Sequence, residues 1–403
     1  MREVSPSSGP RPLDVSEPHH GGQPGRDLPP AQANLQAISG GTMLSVILQF
    51  TVCAVTIVIA GIFLTRFADA IADLTGVGRL LVGSLLLAGA TSLPELAVDI
   101  NARGRRMCRS PIEATSLPEL AVDINSIRLN RPDLAVGDLF GSCLCNLMIL
   151  AILDMSNYSR GRMLSSMASA HALSGMMTIQ LAAIALLSML VSPMPTIWLG
   201  VEIGLGSVVL LFIYLGGSRL VYLDQRLAAR TETPGPDQAV LIPAHPTMRL
   251  SHAIVGFGIS SLVILIAAPY LSQAANQIAH LSGLSQSFVG TTLVAVSTSL
   301  PELVASIAAL RMGAYDLAIG NVFGSNSFNM AMLAILDLFQ SGSLLSVVAQ
   351  IHVLTGVAVI LITAVAIAGQ LYRSESRIRI LEPDALLVLL LSLVAMWLVY
   401  RLG

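Results

Sequence analysis

The 403 residues are 54% hydrophobic and only 11% charged, with a mean hydropathy of +0.75, which excludes an ordinary soluble domain. The net charge of −2 points to no class of partner, and all 22 basic residues are Arg, a usage we attribute to genome composition. The four cysteines, Cys53, Cys108, Cys143 and Cys145, are spaced as neither a disulfide framework nor a zinc site, so Cys143 and Cys145 read as small packing residues.

In chain order, residues 1–41 come first, rich in Pro, Gly and Ser and without an apolar run. They read as a disordered tail and not as a secretory signal, with His19 and His20 solvated. Apolar stretches long enough to cross a bilayer as helices then recur near 43–65, 77–101, 134–153, 164–191, 195–216, 250–271, 283–312, 316–340, 346–368 and 385–402. A polar stretch at 217–249, containing TETPGPDQ, reads as a linker and divides the ten spans into five (42–216) and five (250–403). The expected fold class is an all-α polytopic membrane protein.

The two halves match each other. GSLLLAGATSLPELAVDIN (83–101) pairs with GTTLVAVSTSLPELVASIA (290–308), and DLAVGDLFGSCLCNLMILAILD (133–154) pairs with DLAIGNVFGSNSFNMAMLAILD (316–337), both without a gap. These are internal repeats. With five helices each, they enter the membrane from opposite sides, and inverted repeats of this kind place a transport site where they meet, at the midplane.

The TSLPEL segment carries the chemistry. Pro301 removes a backbone donor and collides with the carbonyl of Ser297, so the helix breaks and carbonyls near 297 and 298 are freed. Irregular backbone at membrane depth is tolerated only where it lines protein or a wet cavity. Glu302 lies beside the break, and Thr298 and Ser299 add hydroxyl oxygens. Carbonyls, hydroxyls and a carboxylate form a hard oxygen site suited to Ca²⁺ or Na⁺, not to copper or zinc. Ser325 and Asn329, four apart on one helix face, extend the donor set, and Ser142 and Asn146 keep that spacing in the first repeat. Two Glu and two Asn give a formal charge of −2, which one divalent ion neutralises.

GATSLPEL with GDLFGSCLCN, and STSLPEL with GNVFGSNSFN, resemble the paired alpha-repeats of the sodium/calcium exchanger family, prokaryotic type, within the Ca²⁺/cation antiporter superfamily. The resemblance covers about 43 to 403. It implies ten transmembrane helices in two inverted five-helix repeats with broken helices 2 and 7, an alternating-access antiport cycle, and a central diamond of ion sites. It carries Thr298, Ser299, Glu302, Ser325 and Asn329 from the second repeat, and Ser142, Asn146 and one TSLPE segment from the first. Asp138 stands where the second repeat has Asn321, and we read it as a helix N-cap.

Which TSLPE segment serves is a real choice, because ATSLPELAVDIN occurs at 90–101 and again at 114–125. Glu302 precedes Asn329 by 27 residues and Glu119 precedes Asn146 by 27, but Gly83 precedes Thr91 by eight, as Gly290 precedes Thr298. The chain thus reads as a normal repeat with 24 residues, 102–125, inserted. Using Glu119 would build the preceding half-helix from a segment with Arg103, Arg105, Arg106 and Arg109, each costing about 2.5–3.5 kcal/mol at membrane depth. Using Glu95 leaves an apolar half-helix and only a longer loop, whose closure entropy grows slowly. The first copy, with Thr91, Ser92 and Glu95, is therefore the expected site, and the second an amphipathic surface segment.

The family resemblance also places the N-terminus outside. Arg66, Arg79, Arg160, Arg162 and most other loop arginines then fall inside, while the insert puts four on the opposite side. Glu202 in span five reads as a proton-path candidate or an interfacial residue, and His171 as a packing histidine. The leading functional reading is a Ca²⁺/Na⁺ antiporter in a bacterial inner (plasma) membrane, with those ions as cargo and the lipid bilayer as surroundings. No cofactor, enzymatic activity, nucleic acid or protein partner is expected. Two alternatives stay open: a Ca²⁺/H⁺ antiporter, or a relative whose transport is impaired by the doubled segment.

Overall fold

The computed structural model describes residues 30–93, 132–156, 168–191, 195–198, 201–231, 248–281, 297–337, 344–348, 350–371 and 383–402, and among these described residues ten helices are longer than a single turn. The helices are α1 (Pro30–Thr75), α2 (Arg79–Leu93), α3 (Pro132–Ser156), α4 (Ala168–Leu190), α5 (Leu205–Thr231), α6 (Leu250–Leu281), α7 (Leu300–Arg311), α8 (Tyr315–Asp337), α10 (Ile351–Leu371) and α11 (Pro383–Leu402), with a single turn, α9 (Leu344–Val347), between α8 and α10. Six of the described helices are long and apolar enough to cross a membrane. The protein is an integral membrane protein. Glu95 and Glu119, with most of the doubled stretch, lie outside the described residues.

Several element bounds differ from the sequence expectation; α1 begins at Pro30, inside the stretch 1–41 read as a disordered tail. Span five does not begin as a helix. Pro195–Trp198 (β1) and Val201–Gly204 (β2) pair as an antiparallel hairpin, with Ile197 opposite Glu202, and α5 starts only at Leu205. Pro193 and Pro195 deny the segment its helical hydrogen bonds, and β-branched Thr196, Ile197, Val201 and Ile203 suit strands. At its other end α5 runs on to Thr231, into the stretch read as linker, because no Pro interrupts LVYLDQRLAART. Its inward residues there do structural work: Val221 packs against Leu80 and Leu81, and Gln225 Oε1 accepts from the Leu81 N–H at 3.3 Å. Helix α1 likewise outlasts its apolar span and stops at Gly76, whose φ of 67° suits only a residue without a side chain.

Burial separates a central layer from a peripheral one. In α3, 72% of the apolar window is buried, against 22% in α1 and 17% in α5, whose outer faces suit lipid. On α1, Leu44, Ile47, Leu48, Val52, Val55 and Ile59 form an exposed stripe at helical spacing. The opposite pattern holds for α8, which packs against α2, α3, α4, α5 and α7. Its Leu317, Ile319, Val322, Phe323, Met332 and Leu336 are all fully buried, and so are its asparagines.

The crossing of α2 and α8 is made by glycine. A Cβ on Gly83 would lie 2.6 Å from the Leu317 carbonyl oxygen, and one on Gly320 would lie 2.5 Å from that of Leu80; Gly324 faces the Ser84 backbone still more closely. Such backbone contact is how membrane helices associate without a hydrophobic drive between them. Helix α2 is wound as a π-helix over Val82–Leu87 at this crossing, a local widening that often marks functional sites.

Candidate ion site between α2, α3, α7 and α8

Helix α7 begins at Leu300, directly after Ser299, whose backbone (φ −87°, ψ 6°) leaves the regular helical conformation and whose side chain caps nothing. Pro301 occupies the first turn, where its missing N–H has no helical partner to lose. This start places Glu302 in the first turn, with its side chain fully buried. The site is thus set by a helix terminus, not by a loop.

Four helices contribute to the cluster around it. From α2, the Ser92 hydroxyl donates to Glu302 Oε1 at 3.1 Å, and the Thr91 hydroxyl stands 3.4 Å from Asn321 Oδ1. From α8, Asn321 Nδ2 donates to Ser306 Oγ at 3.0 Å and to the Glu302 backbone carbonyl at 3.4 Å, which fixes α7 against α8. From α3, Asn146 Nδ2 donates to Asn326 Oδ1 at 3.0 Å, and Asn326 Nδ2 returns a bond to the Cys143 carbonyl at 3.3 Å. Thr178 of α4 and Ser327 share a hydroxyl bond of 2.9 Å just behind this network.

What remains unbonded defines the chemistry. Asn146 Oδ1, Ser299 Oγ, Glu302 Oε2, Ser325 Oγ and both polar atoms of Asn329 are buried and find no hydrogen-bond partner among the described residues. Buried polar atoms are nearly always satisfied, so several orphans in one neighbourhood point to an absent ligand. All five of these groups offer a hard oxygen acceptor, and one is a carboxylate. Among the described residues no group of three His, Cys, Asp or Glu is placed to hold a metal ion.

Every described member of the expected set is buried: Thr91, Ser92, Ser142, Asn146, Thr298, Ser299, Glu302, Ser325 and Asn329. Direct bonds join Ser92 to Glu302 across the two repeats, and Asn146 reaches the second repeat through Asn326. Glu95 falls two residues past the last described residue of α2. Asp138 is not a helix N-cap. It sits more than a turn inside α3, which begins at Pro132, as Asn321 sits inside α8.

Two residues went unrecognised at the sequence level, Asn321 and Asn326. Each is a buried bridge between helices, and the available signal was their presence in a helix otherwise suited to a membrane interior. Glu202 lies on β2 and not within a helix. His171 Nε2 lies 2.9 Å from Asp316 Oδ1, joining the start of α4 to the start of α8, so the ring has a polar partner beyond packing. Asp316 in turn acts electrostatically on Arg79, which pairs with Asp69 at 2.6 Å and Asp73 at 2.9 Å.

Comparison with known proteins agrees with this architecture. The model of the sodium/calcium exchanger protein family matches residues 45–104, 114–222 and 252–401. The chain belongs to the sodium/calcium exchanger family. The family match is broken at 105–113, within the Arg-rich spacer, so each flanking segment holds its own copy of the doubled motif. The sodium/calcium exchanger MaX1 of Methanosarcina acetivorans is 35% identical over 135 residues, 33% of this chain and 39% of that protein. The inner membrane protein YrbG of Escherichia coli is 28% identical over 258 residues, 64% of this chain and 68% of that one. The similarity to MaX1 thus spans well under half of that exchanger. Among solved structures, the sodium-calcium exchanger NCX_Mj shares the fold, with a TM-score of 0.60 at 19% identity over 87% of this chain and 97% of that one.

Proposed function

We propose that this chain exchanges Ca²⁺ for Na⁺ across a membrane by alternating access, binding the ions at the oxygen cluster around Glu302. One observation carries the reading. The Glu302 carboxylate is fully buried, accepts the Ser92 hydroxyl bond at Oε1, leaves Oε2 without a hydrogen-bond partner, and forms no ion pair among the described residues. A buried charge left unpaired costs several kcal/mol, so the site is stable only with a cation, or a proton, at the carboxylate. The orphaned oxygens of Asn146, Ser299, Ser325 and Asn329 supply the remaining ligands of a hard cation.

The repeats suggest a second carboxylate. Ser92 precedes Glu95 by three residues, as Ser299 precedes Glu302, and Ser92 donates to Glu302. By the same spacing, Glu95 is the second carboxylate of the proposed site. Two carboxylates then give a charge of −2, which one Ca²⁺ or successive Na⁺ ions neutralise. Because both ions need the same oxygens, they compete, and a carrier that reorients only when its carboxylates are compensated performs exchange rather than leak. The ion gradient supplies the free energy, so no cofactor is required.

We place the protein in a bacterial inner membrane, in two inverted five-helix repeats with the N-terminus outside. In support, the starts of α2, α4 and α8 are linked through Arg79, Asp316 and His171, as expected if the loops before them share one side. The deciding experiment is ⁴⁵Ca²⁺ uptake into proteoliposomes under an imposed Na⁺ gradient, compared with a pH gradient at equal voltage. Uptake driven by Na⁺ is expected. Uptake driven only by the pH gradient would replace Na⁺ by H⁺ as the coupling ion.

A further inference from the structure

We propose that Asn321 sets the size selectivity of the cation site, holding its α2 and α7 walls at a separation that suits Ca²⁺ and is too wide for Mg²⁺. Taking the oxygen cluster around Glu302 as the transport site proposed above, its buried asparagines are of two kinds. Asn146 and Asn329 keep polar atoms without a hydrogen-bond partner among the described residues, as suits ion ligands. Asn321 is just as buried, yet both ends of its amide are engaged. Its Nδ2 donates to Ser306 Oγ at 3.0 Å and to the Glu302 backbone carbonyl at 3.4 Å, both on α7. Its Oδ1 faces the Thr91 hydroxyl of α2 at 3.4 Å. The amide is a strut between α2 and α7, not a ligand.

This strut stands on a base that cannot contract. Helix α8, which carries it, meets α2 backbone to backbone: a Cβ on Gly83 would lie 3.1 Å from the Asn321 backbone nitrogen and 2.6 Å from the Leu317 carbonyl oxygen. Close-packed contacts of this kind resist compression. With α2 and α8 fixed, the Asn321 amide fixes α7 against both. The gap between Ser92 on α2 and Glu302 on α7, now spanned by a bond of 3.1 Å, is fixed with it. Ca²⁺ accepts about 6–8 oxygens at about 2.3–2.6 Å in flexible geometry, whereas Mg²⁺ demands a near-ideal octahedron at about 2.0–2.1 Å and gives up water reluctantly. Walls unable to close by those few tenths of an ångström leave Mg²⁺ under-coordinated, its lost hydration uncompensated. Without the amide, the start of α7 is free to follow the ion, and the site contracts onto Mg²⁺.

Equilibrium ⁴⁵Ca²⁺ binding to the purified full-length protein, displaced by Mg²⁺, tests this whatever ion couples transport, so its failure is separate from failure of the exchange reading. Glu302→Gln should abolish the binding, which places the measurement at this site. The ratio of half-saturating Mg²⁺ to half-saturating Ca²⁺ should be large in the unaltered protein and fall roughly tenfold in Asn321→Ala. Ser306→Ala removes the 3.0 Å partner on α7 but keeps the amide, and should lower the ratio by a smaller factor. That variant carries the test should Asn321→Ala fail to fold. A general support of the fold would weaken both ions alike, so an unchanged ratio in Ser306→Ala and in any folded Asn321→Ala overturns the proposal. Equal affinity for the two ions in the unaltered protein, or ⁴⁵Ca²⁺ binding that survives Glu302→Gln unchanged, overturns it as well.

Discussion

Helices α3 and α8 share the pattern DLA-x-G-x-x-FGS, yet they are built into the molecule differently. Helix α8 crosses α2 through glycine and inserts Asn321, Asn326 and Ser327 as bridges to α7, α3 and α4. At the aligned positions α3 carries Asp138, Cys143 and Leu144; it receives the bond from Asn326 at the Cys143 backbone carbonyl and returns one from the Asn146 side chain. The second repeat thus supplies more of the side-chain bridges between helices. Sequence identity between the repeats kept the proposed ligands Ser142, Asn146, Ser325 and Asn329, while the bridging positions diverged.

That asymmetry can be broken at the α2–α8 crossing, where the largest effect is expected. Gly324→Ala presses a methyl group onto the Ser84 backbone, and overpacking of this kind costs about 1–3 kcal/mol. Because both helices carry site residues, transport should fall to background and the melting temperature in detergent should drop. Near-normal uptake by that variant would mean that the crossing is looser than described.

The doubled stretch tests which copy serves the first repeat. Thr91 and Ser92 of the first copy are buried at the site, and Ser92 touches Glu302. Glu95→Gln should therefore abolish Na⁺-driven ⁴⁵Ca²⁺ uptake, whereas Glu119→Gln should leave it nearly intact. The reverse result would assign the site to the second copy despite an insertion cost on the order of 10 kcal/mol for its arginines.

A smaller effect sharpens the contrast between scaffold and ligand. Asn326→Ala leaves Asn146 Nδ2 and the Cys143 carbonyl without their partners, a loss of about 1–3 kcal/mol, so half-maximal Ca²⁺ should rise roughly tenfold. Cys143→Ala, which removes the 3.8 Å sulfur contact to the Asn326 carbonyl, should change it less. Equal effects would show that Asn326 is not the brace. Smallest of all, deletion of 102–125 should keep or raise transport, since it restores the spacing of the second repeat; loss of activity would make the insert a working part.

The sequence carried the class, the repeats and most of the cluster because these rest on composition and spacing: TSLPEL cannot sit in an apolar span without breaking it. Asn321 and Asn326 escaped because their role is relational. Each bonds a group on another helix, and no periodicity shows which faces meet. The hairpin at 195–204 was hidden by hydrophobicity, which cannot tell an apolar strand from an apolar helix, although Pro193 and Pro195 stood as a warning. Asp138 was misread as a cap because Pro132, the residue that starts α3, lies beyond the apolar run.

Glu302→Gln tests the central claim most directly. The amide keeps the shape and the bond from Ser92 but removes the charge that a buried cation must compensate. Na⁺-driven ⁴⁵Ca²⁺ uptake by proteoliposomes containing this variant should be indistinguishable from protein-free vesicles, with normal expression and thermal stability. Uptake within a few-fold of the unaltered protein would place the ion site elsewhere and contradict the account.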